Sequence, residues 1–213
     1  MPVPWNDDPH RSAATIEANL VGVLADVAAS AHRRDAPAVA MALEWHRRIY
    51  DGVALPVDYY AGHVRDSDPD YPELSGYEVA VGARPGVPSA EVPDALAHFE
   101  STARATVATV DGLVAPGERP RDFDALRAVM NLCAGLHGEW IRIHPFANGN
   151  GRTARIWANW AALRYGLPPF VRLRRRPEGI GYALASYASM GRDHSVMVGV
   201  LLQMLDERLR NRP

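Results

Sequence analysis

Between His144 and Gly151 the chain reads HPFANGNG, and no regular helix can continue through it. Pro145 pushes His144 out of helical geometry. Gly149 and Gly151 admit backbone angles that other residues resist. Helical spacing holds on both sides of the break. Leu126, Val129, Met130, Cys133, Leu136 and Trp140 form one apolar stripe of a helix over about 122–142. Ile156, Trp160 and Leu163 keep helical spacing in a second helix, which begins near Gly151 and ends at Gly166 with Pro168-Pro169.

A Gly-Asn-Gly loop that leads into a helix gathers backbone N–H groups in one concavity, and the helix start adds partial positive charge. That combination makes an anion site. Arg152 and Arg155 lie three residues apart, so both project from the same side of the new helix. Their planar guanidinium groups suit phosphate oxygens, and two of them beside an amide nest can hold a polyphosphate. His144 stands at the head of the loop, where an imidazole can take up a proton near neutral pH. Ile143, Pro145 and Phe146 give it an apolar anchor.

The rest of the chain is helical by periodicity. Ile16, Leu20, Val23, Leu24 and Val27 mark an N-terminal helix within 10–31. Residues 36–50 form a second helix that stops at Asp51-Gly52, a short helix follows Pro56, and another covers about 91–111. Residues 178–211 carry two more, about 178–190 and 194–210. One stretch differs. Over 75–90, Tyr77, Val79 and Val81 alternate with Glu78 and Ala80, and Gly82 and Pro85-Gly86 turn the chain, which predicts a small hairpin. The expected fold class is all-α: a single domain over 1–213, a helical bundle with one small β-hairpin and a core at 122–166. Val198, Leu201, Leu202, Leu205 and Leu209 fit a core face and a homodimer face equally.

Composition removes several functions. All 23 basic residues are arginine, so a phosphate loop built on lysine and Schiff-base chemistry on lysine are both excluded. The formal net charge is −2, which draws the chain to neither nucleic acid nor membrane. The basic run Arg172, Arg174, Arg175, Arg176 lacks aromatic interleaving and reads as a solvated loop. The histidines show no metal-ligand spacing, and His137 sits on the apolar stripe with Cys133 and Trp140, a structural place. The single Cys133 cannot form an internal disulfide, which fits a reducing compartment. A basic-then-apolar leader is missing, and no run of about 18 apolar residues stands out. The expectation is a cytoplasmic chain with no membrane partner.

The stretch HPFANGNGRTAR resembles the HPFx[D/E]GNGRxxR signature of Fic-domain proteins, matching at His144, Pro145, Phe146, Gly149, Asn150, Gly151, Arg152 and Arg155. The helical surroundings and the upstream hairpin extend the likeness over most of residues 12–190. The resemblance implies a protein adenylyltransferase (AMPylator), which moves AMP from ATP as co-substrate to a Ser, Thr or Tyr hydroxyl of a target protein. His144 would then be the catalytic base. Gly149, Asn150 and Gly151 would hold the α- and β-phosphates, Arg152 the β-phosphate and Arg155 the γ-phosphate. It also implies a Mg²⁺ or Mn²⁺ ion bridging the phosphates, and a flap that pairs its edge with the target's main chain. Tyr77, Glu78, Val79, Ala80 and Val81 would form that flap. Tyr182 falls where relatives line the nucleotide base, although a core tyrosine fits equally.

Two departures bear on this. Asn148 stands where the family has a metal-binding Asp or Glu, and a neutral carbonyl oxygen is a weaker ligand for a hard cation. Weaker metal affinity, a different phosphate donor and a silent nucleotide-binding module are the competing explanations, and the first is favoured because base, nest and arginines persist. The stretch AATIEAN (13–19) resembles a degenerate copy of the family's inhibitory helix motif. It implies that Glu17, at the edge of an apolar stripe and in need of a cation, pairs with Arg155 and restrains the enzyme. Removal of AMP and transfer of another phosphate-linked group are further enzyme readings of the same fold.

Overall fold

Helix α5, Asn150–Arg164, is the axis around which the other helices are laid in the computed structural model, which describes residues 2–5, 12–66, 68–173 and 180–211. Ala154, Ile156, Trp157, Ala158, Trp160, Ala161 and Ala162 of α5 are fully buried, and Arg152, Thr153, Arg155 and Asn159 on its other faces are buried as well. A helix buried on every side has to be enclosed. The alanines let neighbouring backbones come close, and the tryptophans fill the space between them.

The enclosing helices follow in chain order. α1 (Ala13–Arg33) and α2 (Val39–Ile49) pack on α5, α3 (Val92–Asp111) packs on α4 (Phe123–Ile143), and α4 lies along α5 with the most extensive contact in the fold. α6 (Ile180–Met190) and α7 (Ser195–Arg210) cover the other side of α4 and pack on each other. Short 3₁₀ turns sit at Asp58–Tyr60 and Ser89–Glu91. The all-α expectation therefore stands, with seven α-helices and a two-stranded hairpin among the described residues.

Local chemistry explains the helix ends. Asp122 caps α4 by accepting the Ala125 N–H at 2.8 Å. At the far end of α5, Arg164 donates to both oxygens of Asp111 at 3.1 and 2.7 Å, and the Tyr165 hydroxyl donates to the same carboxylate at 2.9 Å. Arg34, just past α1, also pairs with Asp111, so three helix ends share one buried-edge anion.

Three expectations need amending. The hairpin is shorter than the alternating pattern implies: β1 is Ala80–Val81 and β2 is Arg84–Pro85, paired antiparallel with Ala80 opposite Pro85. The Tyr77 carbonyl is withdrawn from any ladder because the Arg65 guanidinium takes it at 2.7 Å. Second, α1 is long and apolar enough to cross a bilayer by length and composition. Here Ile16, Leu20, Val23 and Val27 are buried, and α1 serves as a core helix against α5. Third, the α7 stripe divides: Leu201 and Leu205 are buried, whereas Leu202 and Leu209 are exposed. Arg174, Arg175 and Arg176 of the basic run lie outside the described residues.

The core is aromatic around α5. Trp157 meets Trp45 edge-on at 4.8 Å between ring centroids, Phe99 at 5.5 Å and Trp160 at 5.7 Å. Trp157→Ala is expected to cost about 3–5 kcal/mol in urea-denaturation stability, the range for truncating a large buried aromatic.

Candidate active site

The loop between α4 and α5 is closed by one side chain. Asn150, the first residue of α5, accepts the Phe146 N–H on Oδ1 at 2.9 Å and donates Nδ2 to the Phe146 carbonyl at 2.8 Å. This fixes a ring of five residues, engaging the Asn150 Oδ1 and one of its two Nδ2 hydrogens. The N–H groups of Asn150 and Gly151 find no acceptor among the described residues, and they stand at the positive end of a fifteen-residue helix.

Gly149 has two reasons to be glycine. Its φ is 82°, and a Cβ there would lie 2.7 Å from both His46 Nε2 and the Tyr50 hydroxyl. His46 is fully buried, stacked flat on Phe146 with centroids 3.7 Å apart. The Gly62 N–H donates to His46 Nδ1 at 2.9 Å, so Nε2 carries the proton and donates it to the Asn148 carbonyl at 2.9 Å. Burial holds this imidazole neutral, down to about 3.

His144 ends α4 in the left-handed region, with φ 53° and ψ 56°. A non-glycine residue needs its surroundings to hold it there. Nδ1 lies 3.0 Å from the Ile141 carbonyl and donates to it, which leaves the Nε2 lone pair as the acceptor. Burial, with the Arg65 charge adding to it against the Ile141 bond, pulls the imidazole down to about 4. At neutral pH it is a half-buried, unprotonated base.

Both arginines are buried, and each is held by a tyrosine. Arg152 donates to the Tyr50 hydroxyl and lies over that ring. Arg155 donates to the Tyr182 hydroxyl at 3.3 Å, and Tyr182 meets His137 Nε2 at 2.6 Å. Burial keeps His137 neutral, down to about 3, and its Nε2 shares one hydrogen bond with the tyrosine hydroxyl. Tyr182 therefore orients Arg155, and His137, read as structural, is the far end of that chain.

The Glu17–Arg155 pair is not formed. Glu17 is exposed on α1, at the edge of the face that buries Ile16 and Leu20, and among the described residues it makes no ion pair. The motif's Asn19 acts instead as a tie, donating to the Ile49 carbonyl at 3.1 Å and the Asp51 carbonyl at 2.8 Å at the end of α2.

Asn148 fits a protein-held metal poorly. Its Oδ1 accepts the Gly149 N–H at 2.6 Å and its Nδ2 donates to the Trp5 carbonyl at 2.9 Å. One neutral, engaged oxygen is a poor donor set for Mg²⁺ or Mn²⁺, and no cluster of metal-ligating side chains occurs among the described residues.

The flap residues divide. Ala80 and Val81 form the strand, and the Val79 carbonyl accepts the Gly86 N–H at 2.9 Å. The Tyr77 hydroxyl accepts the Trp5 N–H at 3.1 Å. Glu78 binds the Ser89 N–H and hydroxyl at 3.0 and 2.8 Å, which anchors the entry to α3. Those two side chains are engaged within the fold.

Sequence reasoning missed Arg65, His46 and Tyr50. His46 carried a signal, since Ala42, Trp45, His46 and Ile49 make one buried stripe at helical spacing. Arg65 carried none: it sits in an irregular stretch whose composition looks solvent-facing.

The Fic/DOC family profile matches residues 38–162, more than half of the chain. The chain belongs to the Fic/DOC family. A uridine 5′-monophosphate transferase of Xanthomonas campestris is 48% identical over 46 residues, 22% of this chain and 8% of that protein. The protein adenylyltransferase Fic of Drosophila virilis is 43% identical over 42 residues, 20% of this chain and 9% of that protein. This chain thus spans under a tenth of the length of those relatives. Among solved structures, C. elegans Fic-1 superposes with a TM-score of 0.64 at 21% identity, over 99% of this chain and 53% of that one. A Fic domain-containing signaling protein from Bacteroides thetaiotaomicron gives 0.58 at 18% identity, over 89% and 69%. At those identities the likeness is one of fold.

Three neutral histidines inside the fold set its acid stability. His46, His137 and His144 have folded values of about 3, 3 and 4, below the unfolded value of about 6.5. The unfolded chain then binds more protons between those limits, so stability falls as pH drops from about 6.5 towards 4. Urea titrations across that window should show a slope approaching three protons; a flat profile would contradict the neutral assignments.

Proposed function

We propose that this chain is a nucleotidyltransferase that moves AMP from ATP to a Ser, Thr or Tyr hydroxyl of a target protein. The observation that carries the reading is the joining of two opposite devices in one loop: an unprotonated His144 whose Nε2 is left to accept, and the open N–H groups at the start of α5 beside Arg152 and Arg155. The family supports transfer of a nucleotide, and the curated relatives with matching segments are an adenylyltransferase and a uridylyltransferase.

The chemistry follows from the positions. His144 Nε2 takes the proton from the target hydroxyl. The oxygen attacks the α-phosphorus and forms the new P–O bond, and the bond from that phosphorus to the bridging oxygen breaks. Pyrophosphate leaves with the electron pair. The Asn150 and Gly151 N–H groups and Arg152 meet charge on the transferred and leaving phosphates, and Arg155 meets the outermost. Each group is pre-positioned by the fold, which is where phosphoryl transfer draws most of its rate. The donor set at Asn148 does not suit a protein-held metal, so the steps assigned here rest on these side chains and amides.

The second reading keeps the chemistry and changes the donor to UTP, and the Xanthomonas relative favours it. Self-labelling with ATP or UTP carrying a labelled α-phosphate separates the two. The reading expects label from ATP in the wild type and at least about a hundredfold less in His144→Ala, the range for losing a general base. Label from UTP alone would move the reading to uridylyl transfer, and full labelling by His144→Ala would overturn the mechanism. Asn148→Asp should make transfer more responsive to added Mg²⁺, read as a lower concentration for half-maximal rate.

A further inference from the structure

Arg65 is fully buried, yet its surroundings are backbone carbonyls from two separate pieces of chain. Nε donates to the His144 carbonyl at 2.8 Å and Nη2 to the Ile143 carbonyl at 3.2 Å, while its own backbone N–H takes the Pro145 carbonyl at 2.7 Å. These are three consecutive residues where α4 runs into the loop. On the other side Nη1 donates to the Tyr77 carbonyl at 2.7 Å and Nη2 to the Val87 carbonyl at 2.9 Å, the two feet of the hairpin. Its carboxylate neighbour, Glu78, is 3.5 Å away and 58% exposed, with its other oxygen on Ser89.

We infer that Arg65 is a positioning residue that locks the flap and the catalytic loop into one unit and so sets the place of His144. The inference rests on the nucleotidyl-transfer reading for its catalytic consequence alone. Burying a guanidinium is costly, and one long ion pair at 3.5 Å to an exposed carboxylate does not account for it alone. A planar fork with five donors accounts for it, since it satisfies four carbonyls at once. Two of these carbonyls, Ile143 and His144, lie at the end of α4, where the helix dipole favours a cation.

Contact between the two pieces is already tight. A Cβ added to Gly86 would lie 3.2 Å from His144 Cβ and 3.1 Å from Val79 Cγ2. The flap thus rests on the catalytic histidine, and a shift of either moves the other. His144 holds a left-handed backbone that must be imposed from outside, and the bond from Arg65 to its carbonyl is one of the constraints that impose it. The Arg65 charge also disfavours a proton on His144.

The test compares wild type with Arg65→Met, Arg65→Lys and Glu78→Gln by hydrogen exchange and by NMR titration of the His144 imidazole. In Arg65→Met, amides of 77–87 and of 143–148 should exchange faster together, by at least tenfold, while α5 amides stay protected. The His144 titration should move upward, and the acid limb of labelling should move with it, with kcat falling more than KM for ATP. Arg65→Lys should restore part of the protection, because an ammonium offers three donors. Glu78→Gln, which removes the counter-charge and keeps the clamp, should leave the exchange of 143–148 unchanged. Faster exchange of the flap alone, or a uniform rise through α5 with an unmoved His144 titration, would overturn the inference. Exchange and titration need no nucleotide, so a wild type that transfers nothing would count against the transfer reading and leave the clamp to be judged on its own readouts.

Discussion

The two hydrogen bonds between the Asn150 side chain and the Phe146 backbone decide how α4 meets α5. They turn a proline-and-glycine break into a closed ring. The negative end of one helix and the positive end of the next then sit a few residues apart. His144 rides on the first, and the N–H groups of Asn150 and Gly151 stand at the second. Arg65 meets the last carbonyls of α4, and the N–H groups of Asn150 and Gly151 find no acceptor among the described residues.

Packing gives this ring its rigidity. Phe146 is buried, stacked on His46, and its neighbours lead through Trp140 to Trp157 in the middle of α5. Histidines do three different jobs around one loop, and burial makes each possible by keeping it neutral. His46 passes an N–H to the Asn148 carbonyl, His137 holds the tyrosine that steers Arg155, and His144 keeps a lone pair for chemistry. A protonated ring at any of the three positions would lose its acceptor or place a second cation beside an arginine.

What the sequence showed and what it hid divide along contact order. The loop, the base candidate and both arginines lie within residues 144–155, between two helices that adjoin them directly, so spacing alone brings them together. Helix positions were legible for the same reason, since each stripe is local. The corrections are long-range. Glu17 was placed beside Arg155 by a motif, but the face α1 buries is set by Ile16, Leu20, Val23 and Val27, and that turns Glu17 outward. The pairing of the Asn150 side chain with Phe146 was hidden because it exists only once the loop is closed. Arg65 reaches 79 residues along the chain to His144, and nothing in its own neighbourhood announces that. Tyr77 reads as strand by alternation, yet its carbonyl belongs to Arg65.

The central claim is that the start of α5 recognises phosphates. Titration calorimetry of wild type and Arg152→Ala with ATP and with adenosine addresses it directly. The account predicts that ATP binds, that adenosine binds at least about a hundredfold more weakly, and that Arg152→Ala loses most of the difference, since charge-assisted bonds to phosphate supply it. Adenosine binding as tightly as ATP, with Arg152→Ala unchanged, would show that the loop is not an anion site and would contradict the account.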